Sequence, residues 1–123
     1  MPVSSIKLIK LWLPVLVCMG LIFYTSSISG KDIPPLFPFQ DIAFHLVAYS
    51  ILGLYFSRAS RNTYPNIVVS KIIVFTVIFG IIYGISDEFH QAFVSYRTVS
   101  GFDVFIDSVG TFLGGLIQTR IKI

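Results

Sequence analysis

Four stretches of mostly apolar residues run along the chain, and short polar segments separate them. The stretches cover about residues 8–26, 40–57, 67–92 and 102–120. Each is close to the roughly 20 residues that an α-helix needs to cross a hydrocarbon core of about 30 Å. The strict apolar/polar alternation that a membrane β-barrel requires is absent. The pattern therefore predicts an all-α protein, in which four transmembrane helices form a single domain over residues 1–123.

Composition agrees with a membrane protein. Hydrophobic residues make up 54% of the chain and charged residues 12%, whereas a soluble domain has about 25% charged residues. These values argue against a soluble enzyme and a disordered chain. The net charge of +3 does not form a basic patch, because the basic residues flank the apolar stretches; we therefore expect no nucleic-acid partner. The one cysteine, Cys18, allows no internal disulfide.

The basic residues favour one orientation in the membrane. Seven of the nine fall on the side that holds both termini: Lys7, Lys10, Arg58, Arg61, Lys71, Arg120 and Lys122. Because Lys and Arg accumulate in cytoplasmic loops, we expect both termini in the cytoplasm and a multi-pass location in the inner membrane. Lys7 and Lys10 before an apolar stretch also suit a signal peptide, but no A-x-A cleavage motif follows, so a retained helix is expected.

Acidic residues segregate to the opposite side. All six fall there: Asp32, Asp41, Asp87, Glu88, Asp103 and Asp107. In the second helix Asp41, His45 and Tyr49 are four residues apart, so they share one helix face. His45 lies more than one turn inside the apolar stretch, where a polar side chain is costly and is often functional. The position of Asp41, in contrast, is explained by the favourable interaction of an acid with the helix dipole at the N-terminus of the helix.

The third and fourth helices carry polar residues at the same depth. Asp87, Glu88, His90 and Gln91 end the third helix, and Asp103 and Asp107 begin the fourth. A buried carboxylate needs a proton, a partner or water. Arg97 is the outer arginine that could pair with an acid or clamp an anionic group. The pairs Gly80/Gly84 and Gly110/Gly114 allow close helix approach or oligomerisation.

These positions predict a polar cavity that opens to the outer side. Ionisable residues on three helices share one depth, and the first helix ends there with the hydroxyl groups of Ser26 and Ser27. The alternative explanation is ordinary polarity at the outer ends of the helices.

The same residues resemble a known family. The segments Ser26-Ser27, Asp41-x3-His45-x3-Tyr49-x3-Gly53, Tyr83-Gly84-x2-Asp87-Glu88-x-His90-Gln91 and Arg97-x5-Asp103-x3-Asp107-x2-Gly110 look like the VanZ-like family. The resemblance runs from about residue 8 to 117. Family members are small helical membrane proteins of bacteria, and the member that names the family is associated with low-level teicoplanin resistance. The resemblance implies a role in the cell envelope.

The first hypothesis for function is an outward-facing site that binds or modifies an amphiphilic anionic envelope substrate, such as a lipid-linked or phosphate-bearing molecule. A histidine can act as general acid or base near neutral pH. The candidate catalytic residues are Asp41, His45, Glu88, His90 and Asp107. The candidate substrate-binding residues are Ser26, Ser27, Tyr49, Asp87, Gln91, Arg97 and Asp103.

Three alternatives remain open. No cofactor is expected, but a divalent metal on His45, Glu88 and His90 is a variant of the first hypothesis. In the second hypothesis the protein is not catalytic, and the polar cluster is a structural core or a partner-binding surface. The third and weakest is a transporter or channel subunit, which four helices without an inverted repeat support poorly.

Overall fold

The computed structural model describes residues 3–121; Lys122, which the sequence assigns to the cytoplasmic side, lies outside the described residues. The described chain forms four α-helices: α1 (Ser5–Ser26), α2 (Gln40–Thr63), α3 (Val69–Gln91) and α4 (Gly101–Arg120). A short 3-10 turn, Gly30–Asp32, follows α1. Residues 3–121 contain no strand. The all-α prediction with four helices is confirmed.

The prediction of four membrane-spanning helices is correct for three. Helices α1, α2 and α3 are long and apolar enough to cross a membrane, whereas α4 is not among the candidate spans found within residues 3–121. Helix α4 has 20 residues, so length is not the cause. The cause is the composition of α4. Its hydropathy is lowered by four glycines, two aspartates and a polar end of Gln118, Thr119 and Arg120. Helix α4 packs mainly against α2 and α3.

Helix α2 is longer than the sequence pattern predicts. The apolar stretch predicts an end near residue 57, but the helix continues to Thr63. Arg58, Ala59 and Arg61 favour a helical backbone regardless of hydropathy. The helix ends just before Pro65, because a residue that precedes proline disfavours the helical conformation. At this end Trp12 of α1 donates a hydrogen bond to the Thr63 hydroxyl, 2.9 Å away.

Glycines let α2 and α4 approach closely. A Cβ atom on Gly114 would lie 2.0 Å from the carbonyl oxygen of Ser50, and one on Gly53 would lie 2.4 Å from that of Thr111. Small residues at such crossings are typical of membrane helices. All four glycines of the predicted Gly80/Gly84 and Gly110/Gly114 pairs are buried against neighbouring helices of the same chain. Their close approach therefore assembles the bundle itself.

The two ends of the bundle differ in chemistry. Near the chain termini, Arg61 donates to the Gln118 side chain at 2.8 Å, in a region rich in basic residues. At the opposite end α1 and α3 finish and α2 and α4 begin, so the polar residues of all four helices meet there. Large apolar side chains cover much of the outer surface between the ends, as a lipid-facing surface requires.

Candidate functional site

A buried histidine–aspartate pair lies at the centre of the acidic end. The Nδ1 atom of His45, on α2, is 2.7 Å from Oδ1 of Asp107, on α4. Asp107 is fully buried and His45 is 7% exposed. The second carboxylate oxygen of Asp107 has no hydrogen-bond partner among the described residues. It faces Gly84 of α3, where a Cβ atom would come within 2.8 Å of it, so the absence of a side chain at Gly84 makes room for the carboxylate.

The His45–Asp107 contact fixes the direction of the imidazole ring. With Nδ1 turned to Asp107, Nε2 points toward Asp41, whose Oδ1 lies 3.8 Å away. That distance is too long for a direct hydrogen bond. Within residues 3–121, Nε2 therefore has no hydrogen-bond partner and can meet a ligand or a water molecule. A histidine whose second nitrogen is held by a carboxylate has a defined tautomer and orientation.

Asp87 joins three helices. Its carboxylate accepts hydrogen bonds from the Ser26 hydroxyl of α1 and, at 3.2 Å, from the Tyr49 hydroxyl of α2. All three side chains are buried. The sequence predicts that Asp41, His45 and Tyr49 share one helix face, and two of them point into the bundle. His45 and Tyr49 face acids of other helices, whereas Asp41 is exposed at the start of α2.

Glu88 connects the start of α4 to Arg97. One Glu88 carboxylate oxygen accepts from the backbone N–H of Ser100 at 2.8 Å. With its amide oriented to satisfy both neighbours, Gln91 donates to the other Glu88 oxygen at 3.3 Å and accepts from Arg97 Nη2 at 2.9 Å. Arg97 also donates to the carbonyl of Ile28, 3.4 Å away. The arginine, which lies on the loop between α3 and α4, is thus held from two sides.

A cavity of about 500 Å³ opens beside these residues. Its polar end contains Ser26, Asp41, His45, Tyr49, Asp87, Gln91 and Arg97. Its apolar wall includes Ile22, Leu36, Phe44, Val47, Ala48 and Ile51. Along α2 the lining runs from Gln40 to Ile51, about 16 Å at 1.5 Å per residue. Phe44, Val47 and Ile51 are also exposed on the outer surface of the bundle, so the cavity opens sideways through its apolar wall.

A second, smaller pocket of about 230 Å³ lies on the loop side of the polar end. It shares Ile33, Gln40, Asp41, Gln91 and Arg97 with the cavity, and adds Gly30, Pro35, Tyr96 and Thr98. The two spaces therefore meet at one set of residues. The added residues belong to the segments after α1 and after α3, outside the helices.

The structure separates several predicted site residues from the cavity. His90 is half-buried, lies 2.8 Å from the hydroxyl of Ser27 and stacks on Phe23 with ring centroids 4.4 Å apart. Neither His90 nor Ser27 lines the cavity or the pocket. Glu88, Asp103 and Asp107 also do not line them. Each lies close to a residue that lines the cavity: Asp107 bonds to His45, Glu88 bonds to Gln91, and a carboxylate oxygen of Asp103 lies within 4.8 Å of the ligand atoms of Asp41 and His45. Seven of the twelve predicted residues line the cavity itself.

Two groups of residues have the spacing to hold a divalent cation. They are Asp41, His45 and Asp103, and His45, Asp87 and Asp107, with ligand atoms within 4.8 Å of one another in each group. Carboxylate and imidazole ligands suit zinc or manganese. Among the described residues, neither group contains Glu88 or His90. The structure therefore does not bring together the predicted set His45, Glu88 and His90.

Sequence reasoning missed the apolar wall of the cavity. Its members on α2, Phe44, Val47, Ala48 and Ile51, look like ordinary lipid-facing residues in the sequence. It also missed Gln40, whose side chain accepts from Leu36 N at 2.6 Å and donates to Pro34 O at 3.0 Å. These bonds close the loop before α2, where Phe39 has a left-handed φ of 60°. The proline-rich segment before Gln40 is the signal that marks this loop.

These features define the class of the protein, which is a helical membrane protein with a polar site at one end of its bundle. The family model described as VanZ/LLP1 matches residues 11–122, nearly the whole chain. The chain belongs to the VanZ/LLP1 family, and the resemblance read from the sequence is confirmed. No curated protein and no solved structure gives a significant match to the chain. With three candidate spans, the protein is a multi-pass membrane protein of VanZ type.

Proposed function

We propose that this protein binds an amphiphilic, anionic molecule of the bacterial cell envelope and modifies it by acid/base chemistry. The observation that carries the proposal is the cavity beside His45, which joins an apolar wall that opens sideways to a polar end with a held arginine. An amphiphile matches this division, because its tail and its headgroup need opposite surroundings. Membership of the VanZ/LLP1 family is consistent with a role in antibiotic resistance.

The proposal includes an orientation and a membrane. Basic residues gather at the end that holds the termini, and acidic residues gather at the end that holds the cavity. The positive-inside rule then places both termini in the cytoplasm and the cavity at the outer face of the inner membrane. The ligand would enter sideways from the outer leaflet, past Phe44, Val47 and Ile51.

Arg97 is the residue proposed to hold the headgroup. It lies on the border between the cavity and the smaller pocket. Its planar guanidinium can bind phosphate or carboxylate with two parallel hydrogen bonds. Gln91 and Ile28 fix it in place. Glu88 is buried behind Gln91, so we assign it a positioning role rather than the catalytic role that the sequence suggests.

His45 is the residue proposed to move a proton. Its Nε2 atom has no hydrogen-bond partner in the part of the chain that the structure describes, and His45 lines the polar end of the cavity. As a neutral imidazole it would accept a proton from a water molecule or from a hydroxyl group of the ligand. Asp107, 2.7 Å from Nδ1, would stabilise the resulting imidazolium. Such proton transfer typically contributes about 10²- to 10⁴-fold to a rate. His90 has no role in this step.

The experiment is to identify the lipids that co-purify with the protein. Wild type, Ala48→Trp and Val74→Trp are purified in a mild detergent, and bound lipids are analysed by mass spectrometry. Ala48 lines the cavity, whereas Val74 is an exposed residue of α3 that does not. We expect an enriched anionic lipid in wild type and in Val74→Trp, and its loss in Ala48→Trp. Equal lipid content in all three proteins would contradict the proposal.

A second candidate function is structural, and one observation favours it. The bonds of Asp87 to Ser26 and Tyr49, with the His45–Asp107 pair, connect all four helices. Polar contacts of this kind hold membrane helices together. The two candidates differ in Arg97→Gln. A structural core predicts no loss of a specific bound lipid, whereas a binding site predicts such a loss with an unchanged melting temperature.

A further inference from the structure

The smaller pocket is best explained as part of the same binding site. It shares five lining residues with the cavity, and Arg97 is one of them. A ligand whose anionic group meets Arg97, and whose tail follows α2, has its remaining substituents directed to the loop side. The pocket occupies that position. A role for this pocket rests on the proposed function, in which Arg97 holds the headgroup.

The free groups of the pocket indicate the chemistry of its occupant. The pocket has one basic side chain, Arg97, and one acidic side chain, Asp41. A charged substituent of either sign would be attracted by one of these side chains and repelled by the other, so the lining as a whole favours neither charge. An uncharged group that both donates and accepts hydrogen bonds satisfies the two at once. A hydroxyl-bearing group has that property.

Other residues of the pocket agree with an uncharged hydroxylated group. Thr98 and Tyr96 are exposed and bring hydroxyl groups to the rim. Gln40 and Gln91 are less available, since their side chains already bond to Leu36, Pro34, Glu88 and Arg97. Among the described residues, the polar lining side chains that have no hydrogen bond are therefore those of Asp41, Tyr96 and Thr98, and Arg97 keeps unused N–H groups.

Hydrogen bonds and close backbone packing between two loops hold the rim of the pocket in place. The backbone N–H of Gly30 donates to Ser95 O at 2.9 Å, and the Ser29 hydroxyl donates to the same oxygen at 3.2 Å. A Cβ atom on Gly30 would overlap the carbonyl of Tyr96, so the two loops can approach this closely because residue 30 has no side chain. Tyr96 has a left-handed φ of 61°. The loop after α1 is thereby fixed against the loop that carries Arg97.

We propose that this pocket, lined by Gly30, Pro35, Tyr96 and Thr98 together with the shared residues, is a subsite for an uncharged, hydroxyl-bearing extension of the ligand headgroup. The full site then has three parts: an apolar groove for the tail, Arg97 for the anionic group, and the loop-side pocket for the hydroxylated group. The protein would accordingly distinguish among anionic lipids by the hydroxyl-bearing group attached to the anionic headgroup.

The test compares two lipid probes with the same acyl chains. Purified protein in detergent is titrated with dioleoyl phosphatidic acid or with dioleoyl phosphatidylinositol, and bound lipid is counted by native mass spectrometry. The first probe has only the phosphate, and the second adds a ring of hydroxyl groups. We expect phosphatidylinositol to bind about fivefold or more tightly, the effect of roughly one net hydrogen bond.

Three variants separate the subsite from the rest of the site. Thr98→Trp fills the pocket; its matched control is Val99→Trp, an exposed neighbour that lines neither space. Ala48→Trp fills the cavity. We expect Thr98→Trp to remove the preference for phosphatidylinositol while phosphatidic acid binds as in wild type, Val99→Trp to behave as wild type, and Ala48→Trp to lose both lipids.

Each contrary result has a distinct meaning. If wild type shows no preference, or if Thr98→Trp leaves the preference intact or weakens both lipids equally, the subsite is overturned while the cavity can still bind lipid. If Ala48→Trp binds both lipids as wild type does, the proposed function itself is contradicted. Melting temperatures of the four proteins are measured alongside; a variant that melts far below wild type is replaced by Thr98→Leu or Ala48→Phe at the same position.

Discussion

The two histidines of the chain lie in regions of similar depth but different chemistry. His45 is buried between α2 and α4, bonded to Asp107, and lines the cavity. His90 is half-buried at the end of α3, bonded to the Ser27 hydroxyl and stacked on Phe23. The first region has a carboxylate to stabilise a protonated ring and a cavity for a ligand, whereas the described residues around His90 provide neither. We therefore expect His45, but not His90, to take part in proton transfer.

The strongest test of this difference replaces each histidine with glutamine. In His45→Gln we expect conversion of the bound ligand to fall by about 100-fold or more, because general acid/base catalysis is lost. In His90→Gln we expect a change of less than about threefold. The measurement is the ratio of modified to unmodified ligand among co-purified lipids. Equal losses in the two variants would remove the distinction between the regions.

The next largest effect concerns Arg97, which lines the cavity and donates a hydrogen bond to Gln91. We expect Arg97→Gln to weaken binding of dioleoyl phosphatidic acid by about 10- to 100-fold, the range for a charge-assisted hydrogen bond. Lys31→Gln is the control, since Lys31 is also basic but lies over the Tyr96 ring instead. Native mass spectrometry measures both. A similar loss in Lys31→Gln would mean that net charge, not the held arginine, attracts the lipid.

A third test adds a side chain at Gly84, next to Asp107, and so disturbs the aspartate that holds His45. A Cβ atom at Gly84 would lie 2.8 Å from Asp107 Oδ2, whereas one at Gly20 would meet nothing within 4 Å. We expect Gly84→Ala to destabilise the protein by about 1–3 kcal/mol, a typical cost of overpacking, and to lower ligand conversion. Gly20→Ala should leave ligand conversion unchanged and should not destabilise the protein, because alanine favours a helical backbone more than glycine does. Thermal melting in detergent checks the stability, and an unchanged Gly84→Ala protein would contradict the tight packing around Asp107.

The smallest effect compares two adjacent serines, one from each region. Ser26 donates to buried Asp87, and exposed Ser27 contacts half-buried His90. Hydrogen bonds between membrane helices contribute about 0.6 kcal/mol on average and about 1.7 kcal/mol at most. We expect Ser26→Ala to cost an amount near the upper figure and Ser27→Ala to cost almost nothing, by the same melting assay. A larger loss in Ser27→Ala would show that the His90 region carries more of the stability.

Much of this arrangement follows from the sequence because it depends on local periodicity. The i, i+4 spacing of Asp41, His45 and Tyr49 predicts a common helix face, and His45 and Tyr49 do point into the bundle. The spacing of Asp103 and Asp107 likewise places both on the buried face of α4. Four helices and a polar cluster at one end are therefore readable from one chain.

The division of roles within the cluster depends on packing, which periodicity does not contain. Glu88 and His90 are two residues apart, so helical periodicity places them on opposite faces of α3. It does not say which of them turns inward behind Gln91 and which turns outward to Ser27. Their direction is set by the rotation of α3, which Gly80 and Gly84 fix by close contact with Thr111 and Asp107 of α4. The apolar wall of the cavity is hidden for the same reason, because a lipid-facing Phe44 and a cavity-lining Phe44 have the same sequence signature.

The central claim is that the cavity beside His45 selects an anionic amphiphile from the membrane. The most direct measurement places the photo-crosslinking residue benzoylphenylalanine at Phe44 or at Phe105, each four residues after the start of its helix. Both are exposed, but Phe44 lines the cavity and Phe105 does not. After irradiation in native membranes, we predict that position 44 captures a distinct anionic lipid, while position 105 captures the bulk lipid mixture. The same mixture at both positions would contradict the claim.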